Sequence, residues 1–389
     1  MGRRGAPLRL IRARLQPETA TGYPARPASS TEDYVASALK RGCRFIVIIF
    51  LLLLALAAGA AFWLWQGHRG FADTAIGGVS AEATVEVASG DAFPTVLRKL
   101  RGQGVSHGSD LQWRLLARET NTASQLKVGE YALSPELTPR ELLQRMREGR
   151  TLQYRFTLVE GWNIRQVRAA LRNATPLQQK TAQMSDAELM AALGHPGQHP
   201  EGRFLPETYV YTRSESDLDV LKRAHTAMEK AVAAAWEGRA NGIPLQSAEE
   251  ALILASIIEK ETGIAEERPA IAGVFARRLK IGMPLQTDPT VIYGIGSSYD
   301  GNIRRRDLTT DTPYNTYTRK GLTPTPIAMP GVDALKAAVN PADGDALYFV
   351  AVGDGSGRHI FSATLAEHNA AVARYLVTRR ETLRKAAAP

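Results

Sequence analysis

GEYALSPELTPRELLQRM, residues 129–146, reads as a short strand, a turn and an amphipathic helix. The junction is Thr138-Pro139-Arg140-Glu141, which supplies a threonine N-cap, a proline at the first helical position and the returning glutamate of a capping box. The same succession precedes it in TVEVASGDAFPTVLRKL (84–100) and follows it in YRFTLVEGWNIRQVRAAL (154–171). Short strands alternating with helices define an α+β chain, and three units are too few for a solenoid. The first two units are expected to form a small module at 81–152, and the third to open a mixed α+β domain at 153–385. Between them and the C-terminus, residues 172–246 read as mostly helical, interrupted by a loop, HPGQHPEGRFLPETYVYT (195–212).

Upstream, FIVIIFLLLLALAAGAAFWLW (45–65) runs without a charge. At about 1.5 Å per residue it is long enough to cross a ~30 Å hydrocarbon core. Lys40, Arg41 and Arg44 crowd its N-terminal side, Arg69 is the only Lys or Arg in 66–85, and Trp63 and Trp65 mark the far interface. Positive-inside logic therefore predicts a single-pass helix in the lipid bilayer, with its N-terminus in the cytoplasm and the downstream chain extracytoplasmic. A cleaved signal peptide fits less well, because a 44-residue segment precedes the apolar run and the run exceeds a usual h-region. Residues 66–80 read as a linker. Residues 1–44 read as a basic cytoplasmic tail, rich in Pro, Ala, Arg and Thr and expected to be disordered.

The chain has 389 residues, 44% of them hydrophobic, with a single cysteine, which excludes a disordered, collagenous or disulfide-stapled protein. Of the net charge of +9, the first 44 residues carry +6. The basic character therefore belongs to the tail, and no nucleic-acid-binding face is expected on the body.

Downstream, Ser247-Ala248-Glu249-Glu250 reads as a capping box, and the helix it opens runs through ALILASIIEKET to Gly263, a natural residue to end it. With about 100° per residue, Glu261 falls roughly 20° from Leu254, inside the arc of Ala251, Leu254, Ile257 and Ile258. Glu259 falls about 140° away, near the edge of that arc. A carboxyl on the buried stripe, in the last helical turn, is disfavoured as an anion by desolvation and by the helix dipole. It can stay protonated near neutral pH and donate its proton, as glycosidic cleavage requires. The same position also suits a buried carboxylate paired with Arg268, Arg277 or Arg278 of the next helix. Glu259 reads as a group that orients neighbours, contacts substrate or is simply solvated.

Two loop-rich stretches follow, IGMPLQTDPTVIYGIG (281–296) and DTPYNTYTRKGLTPTPIAMPG (311–331). Their Gln286, Thr287, Asp288, Tyr293, Asn315, Thr316 and Tyr317 offer the directional hydrogen bonds and flat rings that an extended sugar polymer needs, although turns use the same residue types. Other patterns reduce to structure. Gly104-Val105-Ser106-His107-Gly108 lacks the strand that a nucleophile elbow requires, and Gly353-Asp354-Gly355-Ser356-Gly357 lacks a following lysine and helix and reads as a hairpin turn. His195 and His199, flanked by Pro196 and Pro200, read as a surface turn and not a zinc motif. Thr364-x-x-Glu367 reads as a capping box, which leaves His368 undecided. No metal or organic cofactor is demanded.

At these residues the chain resembles the YceG-like family of endolytic murein transglycosylases. The resemblance runs in order through VEG (159–161), EG-F-P-TY (201–209), ASIIEKET (255–262), ER (267–268), IGMPLQTDPTVIYG (281–294), YNTY (314–317), PG (330–331), YFV (348–350) and EHN (367–369). It implies a membrane-anchored enzyme with a LysM-like module at 81–152 and a catalytic domain at 153–385, acting on peptidoglycan glycan strands. It implies Glu261, the second glutamate of EKE, as the catalytic residue. It further implies cleavage of the bond between N-acetylmuramic acid and N-acetylglucosamine without water, leaving a 1,6-anhydro end, with cell-wall synthesis proteins as plausible partners. A hydrolytic muramidase and a non-catalytic glycan-binding protein are the rival readings. The chain departs from the family at Gly321-Leu322-Thr323-Pro324-Thr325-Pro326-Ile327, where a proline and a glycine are replaced.

Overall fold

The structure, a computed structural model, describes residues 31–386, with side chains from Arg44 onward except those of Leu383, Lys385 and Ala386. Of the tail read at residues 1–44 and expected to be disordered, residues 1–30 lie outside the described residues and 31–44 are helical. Helix α1 (Thr31–Asp73) begins well before the apolar run and continues past it into the segment read as linker. No proline interrupts this stretch. Within α1, Arg44–Asp73 is long and apolar enough to cross a membrane, and the protein buries none of its apolar window. The described chain divides into two compact units, the first ending at Gly70 and the second running from Phe71.

The second unit is mixed α+β. Strands β1 (Thr84–Val87) and β2 (Gly129–Ala132) pair antiparallel, with Val85 opposite Tyr131. Between and after them come helices α2 (Phe93–Gly102), α3 (Asp110–Glu119) and α4 (Pro139–Glu148). Thr138 caps α4 as its sequence indicates: its hydroxyl accepts from Glu141 N and its own N donates to Glu141 Oε2, both at 3.2 Å. Trp113, Leu116, Tyr131, Leu142 and Met146 are fully buried in the core these elements share.

Strand β3 (Tyr154–Thr157) follows, then α5 (Ile164–Arg172), α6 (Asp186–Leu193), β4 (Thr208–Tyr211) and α7 (Asp217–Glu237). The segment 208–211, read as part of a loop, is instead a strand antiparallel to β3. Its TYVY pattern buries Tyr209 and Tyr211 on one side, but the partner that makes it a strand lies some fifty residues upstream, out of reach of local reading. Glu130 of β2 receives Arg213 through Nε and Nη2 at 2.8 and 2.9 Å, and the hydroxyls of Tyr154 and Thr84 at 2.7 Å. Those bonds, Arg213 foremost, hold its carboxyl at about 2.

The centre of the remainder is α8 (Ala248–Glu261), flanked by α7, by α9 (Arg268–Lys280), α10 (Asp288–Ile295) and α12 (Val332–Val339). A short α11 (Arg305–Thr309) precedes α12. Residues 251–258 of α8 are all buried, so this helix is enclosed on every side; Ser256, the one polar residue among them, donates to Ile253 O at 2.7 Å and accepts from Ile327 N at 3.0 Å. Ser247 Oγ accepts from Glu250 N, but Glu250 turns back to Gln246 N at 2.6 Å, so only half of the expected capping box forms. The helix also stops differently from the expectation. Thr262 is extended (φ −144°, ψ 137°) and Gly263 keeps a negative φ, which makes Glu261 the last helical residue. Helix α10 occupies a stretch read as loop, opened by Asp288-Pro289. The chain ends in the hairpin β5 (Tyr348–Ala351) and β6 (His359–Ser362), whose turn is the Gly353–Gly357 segment, and in α13 (Leu365–Ala386). Glu367 Oε2 accepts from Ala363 N and Thr364 N at 3.0 Å, the N-terminal cap its spacing indicates.

Candidate active site

Glu261 opens into a cleft of about 530 Å³, lined by Gln286, Thr287, Asp288 and Tyr317 on one side and by Arg278, Tyr348, His368 and Asn369 on the other. Burial pushes its carboxyl up to about 7; the nearby Asp288 charge acts in the same direction, while the Thr287 hydroxyl and the Arg278 charge oppose. The Thr287 hydroxyl donates directly to Glu261 Oε1. A carboxyl poised in this way is half protonated near neutrality, able to give a proton and to take one back.

The loop before α10 is built to hold Thr287 there. Thr287 N donates to Thr316 Oγ1 at 3.1 Å, and Thr290 Oγ1 donates to Thr287 O at 2.8 Å. Gln286 has a left-handed backbone (φ 50°), an unfavourable conformation for a residue with a Cβ, and its N–H bonds Thr316 O at 3.1 Å. Tyr317 OH donates to Asp288 Oδ1 at 2.6 Å. Burial and the Asp288 carboxylate push the Tyr317 phenol upward, so it stays a proton donor.

None of the three arginines that could have neutralised Glu261 pairs with it. Arg268 bonds Glu259 Oε1 at 3.2 Å. Arg277 donates to the carbonyls of Ala346 and Ala342 at 2.7 and 3.0 Å, and Arg278 to those of Leu347 and Leu285 at 2.6 and 2.7 Å. Arg278 also lies over the Tyr348 ring at 5.3 Å.

Of the residues singled out from sequence, Glu261, Gln286, Thr287, Asp288 and Tyr317 come together on this cleft. The other four lie outside its lining. Glu259 is 5% exposed, held between Arg268 and Gly331 N at 2.9 Å. Tyr293 donates to Glu201 Oε2 at 3.0 Å, a buried carboxyl that also accepts from Ile164 N and that burial raises to about 7. Asn315 donates through Nδ2 to the carbonyls of Asp307, Leu308 and Thr310 and accepts from Tyr317 N, fixing the loop from within. Thr316 is the buried brace of Thr287. The altered loop closes on itself, with Thr323 Oγ1 donating to Thr325 O at 2.8 Å and Thr325 bonded to Tyr314 OH at 2.9 Å.

The far wall was not assembled from sequence. Arg278 read only as a helix arginine, and Tyr348 and Asn369 sat in matched motifs without a role. The Tyr348 ring stacks on His368, with centroids 5.1 Å apart, and burial holds the His368 imidazole below its ordinary range, so it presents a neutral ring. The one available signal was the capping box at Thr364: it starts α13 there, which puts His368 and Asn369 on the first turn, beside the hairpin.

The sequence pattern of the YceG-like family matches residues 85–374. The endolytic murein transglycosylase of Bacillus subtilis (strain 168) is 32% identical over 276 residues, covering 67% of this chain and 76% of that protein. The endolytic murein transglycosylase of Streptococcus pneumoniae (strain D39) is 26% identical over 342 residues, 78% of this chain, which spans 60% of the streptococcal protein's length. The crystal structure of a yceG-like protein from Listeria monocytogenes, 29% identical, aligns over 75% of this chain and 98% of that one with a TM-score of 0.48.

Proposed function

Because the chain belongs to the YceG-like family, we propose that it is an endolytic murein transglycosylase, with Glu261 as its single acid and base. The substrate is peptidoglycan, and the enzyme is a lytic transglycosylase. The observation that carries the residue assignment is a partly buried carboxyl at about 7, free of any arginine partner and facing an open polar cleft.

In this reading the protonated Glu261 gives its proton to the oxygen bridging N-acetylmuramic acid and N-acetylglucosamine. The C1–O4 bond breaks and the new hydroxyl leaves with the glucosamine residue. The carboxylate then removes the proton of the muramoyl C6 hydroxyl as O6 closes on C1, forming the 1,6-anhydro ring. The proton lost in the first step is regained in the second, so no water is consumed and no second carboxylate is needed. Thr287 orients the carboxyl. Gln286, Asp288, Tyr317, Tyr348 and Asn369 supply polar and aromatic contacts to the sugars, with Arg278 placing a positive charge beside them. Residues 81–152 act as a LysM-like glycan-holding module ahead of the catalytic domain at 153–385. The apolar part of α1 anchors the protein as a single span, with the basic N-terminal side in the cytoplasm and the cleft outside, near newly made strands and the proteins that synthesise them.

The test is the product of digestion of purified peptidoglycan, read by mass. Fragments ending in 1,6-anhydromuramic acid from within strands support the proposal. Hydrated reducing ends would replace it with a muramidase, and intact sacculi that retain the protein would replace it with a binding function.

A further inference from the structure

Away from the cleft, three metal-binding side chains converge. His225 and Glu229 lie one turn apart on α7, so both project from the same face. His195 reaches them from the turn that ends α6. There Gly194 adopts a left-handed conformation (φ 93°) and His195 N donates to Met190 O at 2.8 Å, which fixes where the imidazole starts. His195 Nδ1 stands 3.8 Å from Glu229 Oε1, and His225 Nδ1 stands 3.5 Å from Glu229 Oε2. The two rings lie 4.1 Å apart, and one donor atom from each of the three residues falls within 4.8 Å of the others.

The tautomer of His225 is set by its outer neighbour. Its Nε2 is 3.0 Å from Gln198 Oε1, an acceptor only, so Nε2 carries the hydrogen and Nδ1 turns its lone pair toward Glu229. Two imidazoles side by side share one carboxylate at distances at or beyond the reach of a good N–H···O bond, a poor arrangement for a simple ion pair. It suits a cation. With bonds of about 2.0 Å, tetrahedral ligands stand about 3.3 Å apart, so a small closure of the three side chains completes three corners. Two imidazoles and one carboxylate favour zinc and its first-row neighbours over calcium or magnesium.

We propose that His195, His225 and Glu229 bind one zinc-class divalent cation, with solvent at the fourth position, as a staple between α7 and the 194–203 turn. Glu229 is 51% exposed and the His195 side chain 33%, which leaves the open corner facing water. The turn so held carries Glu201, which binds Ile164 N and Tyr293, so the staple braces that buried contact inside the 153–385 domain without touching Glu261.

The test uses the full chain in detergent, free of any polyhistidine tag, stripped with chelator and titrated with Co²⁺ and then Zn²⁺. We expect one ion per chain by metal analysis, visible Co²⁺ bands of a tetrahedral site that Zn²⁺ displaces, and a higher Tm with Zn²⁺. His195→Ala and Glu229→Gln, both at partly exposed positions, should each weaken binding by roughly 100-fold or more and lose the Zn²⁺-dependent gain in Tm, with the metal-free Tm close to the parent's. His199→Ala should bind as the parent does. Absence of stoichiometric binding by the parent, or unchanged affinity in His195→Ala and Glu229→Gln, would overturn the site. Loss of binding in His199→Ala alone would move it elsewhere. Murein cleavage plays no part in these readouts.

Discussion

Glu259 and Glu261 are separated by one residue on one helix, and the structure treats them in opposite ways. Glu259 is enclosed: Arg268 and Gly331 N take its two oxygens, and Glu160 of the VEG motif approaches the same arginine at 3.5 Å. Gly331 lets Glu160 lie close, since a Cβ there would come within 2.0 Å of Glu160 Oε1 and displace that side chain. Glu259, Arg268 and the Gly331 N–H thus meet in one buried polar knot, with Glu160 at its exposed edge. Glu261 has a single hydroxyl donor and a cleft in front of it. Full pairing makes a carboxylate part of the scaffold, whereas incomplete pairing in a desolvated place leaves a carboxyl with a proton to move.

That contrast can be broken experimentally. The largest effect expected is on turnover: Glu261→Gln should reduce release of peptidoglycan fragments by about 10²–10⁴-fold, with binding to sacculi retained. Parental digestion by this variant would remove Glu261 from the chemistry. Next, Glu259→Ala leaves Arg268 buried without its main partner and should cost about 3–5 kcal/mol in stability. Denaturant unfolding of the soluble part would measure this, and a loss of activity without a loss of stability would erase the distinction between the two positions.

A third comparison uses pH. The Glu261 carboxyl rises from an ordinary 4.5 to about 7 in the folded chain, so between those values the native state holds a proton that the unfolded state has released. Stability therefore falls as pH rises through that window and levels off above it. Glu261→Gln removes this dependence: the variant should melt a few °C above the parent at pH 8 and match it near pH 4, whereas Glu259→Gln should melt lower than the parent at neutral pH. The smallest effect is that of Thr287→Val, which deletes the hydroxyl that favours the Glu261 anion. It should lower activity by about tenfold, the scale of one hydrogen bond, and move the alkaline fall of the pH–rate profile to higher pH. A shift to lower pH would contradict the assigned direction of that bond.

The strand–turn–helix units at 84–100, 129–146 and 154–171 were legible because each is written locally, in alternation and turn residues and, for the last two, in helix caps. Helical phase set Glu261 on the apolar arc and Glu259 at its edge, but α8 is buried on every side and Glu259 is 5% exposed, so partners and not phase distinguish the two. The β4 strand was hidden because pairing with β3 is what makes it a strand. Asn315 and Thr316 have the composition of sugar-binding residues, yet their polar atoms are consumed within the loop, and no count of amides and hydroxyls shows which ones point inward.

By itself the sequence determined the apolar span of α1, the capped helices and the family. All of these depend on spacing along a few turns of chain. Only the tertiary structure decided that Arg268 goes to Glu259 and leaves Glu261 unpaired, that Tyr348, His368 and Asn369 arrive from the C-terminal hairpin and helix to face Thr287, and that His195 meets His225 and Glu229. Those meetings join residues from nine to some eighty positions apart, on different elements, and they are fixed by how buried helices pack around α8, which local periodicity does not encode.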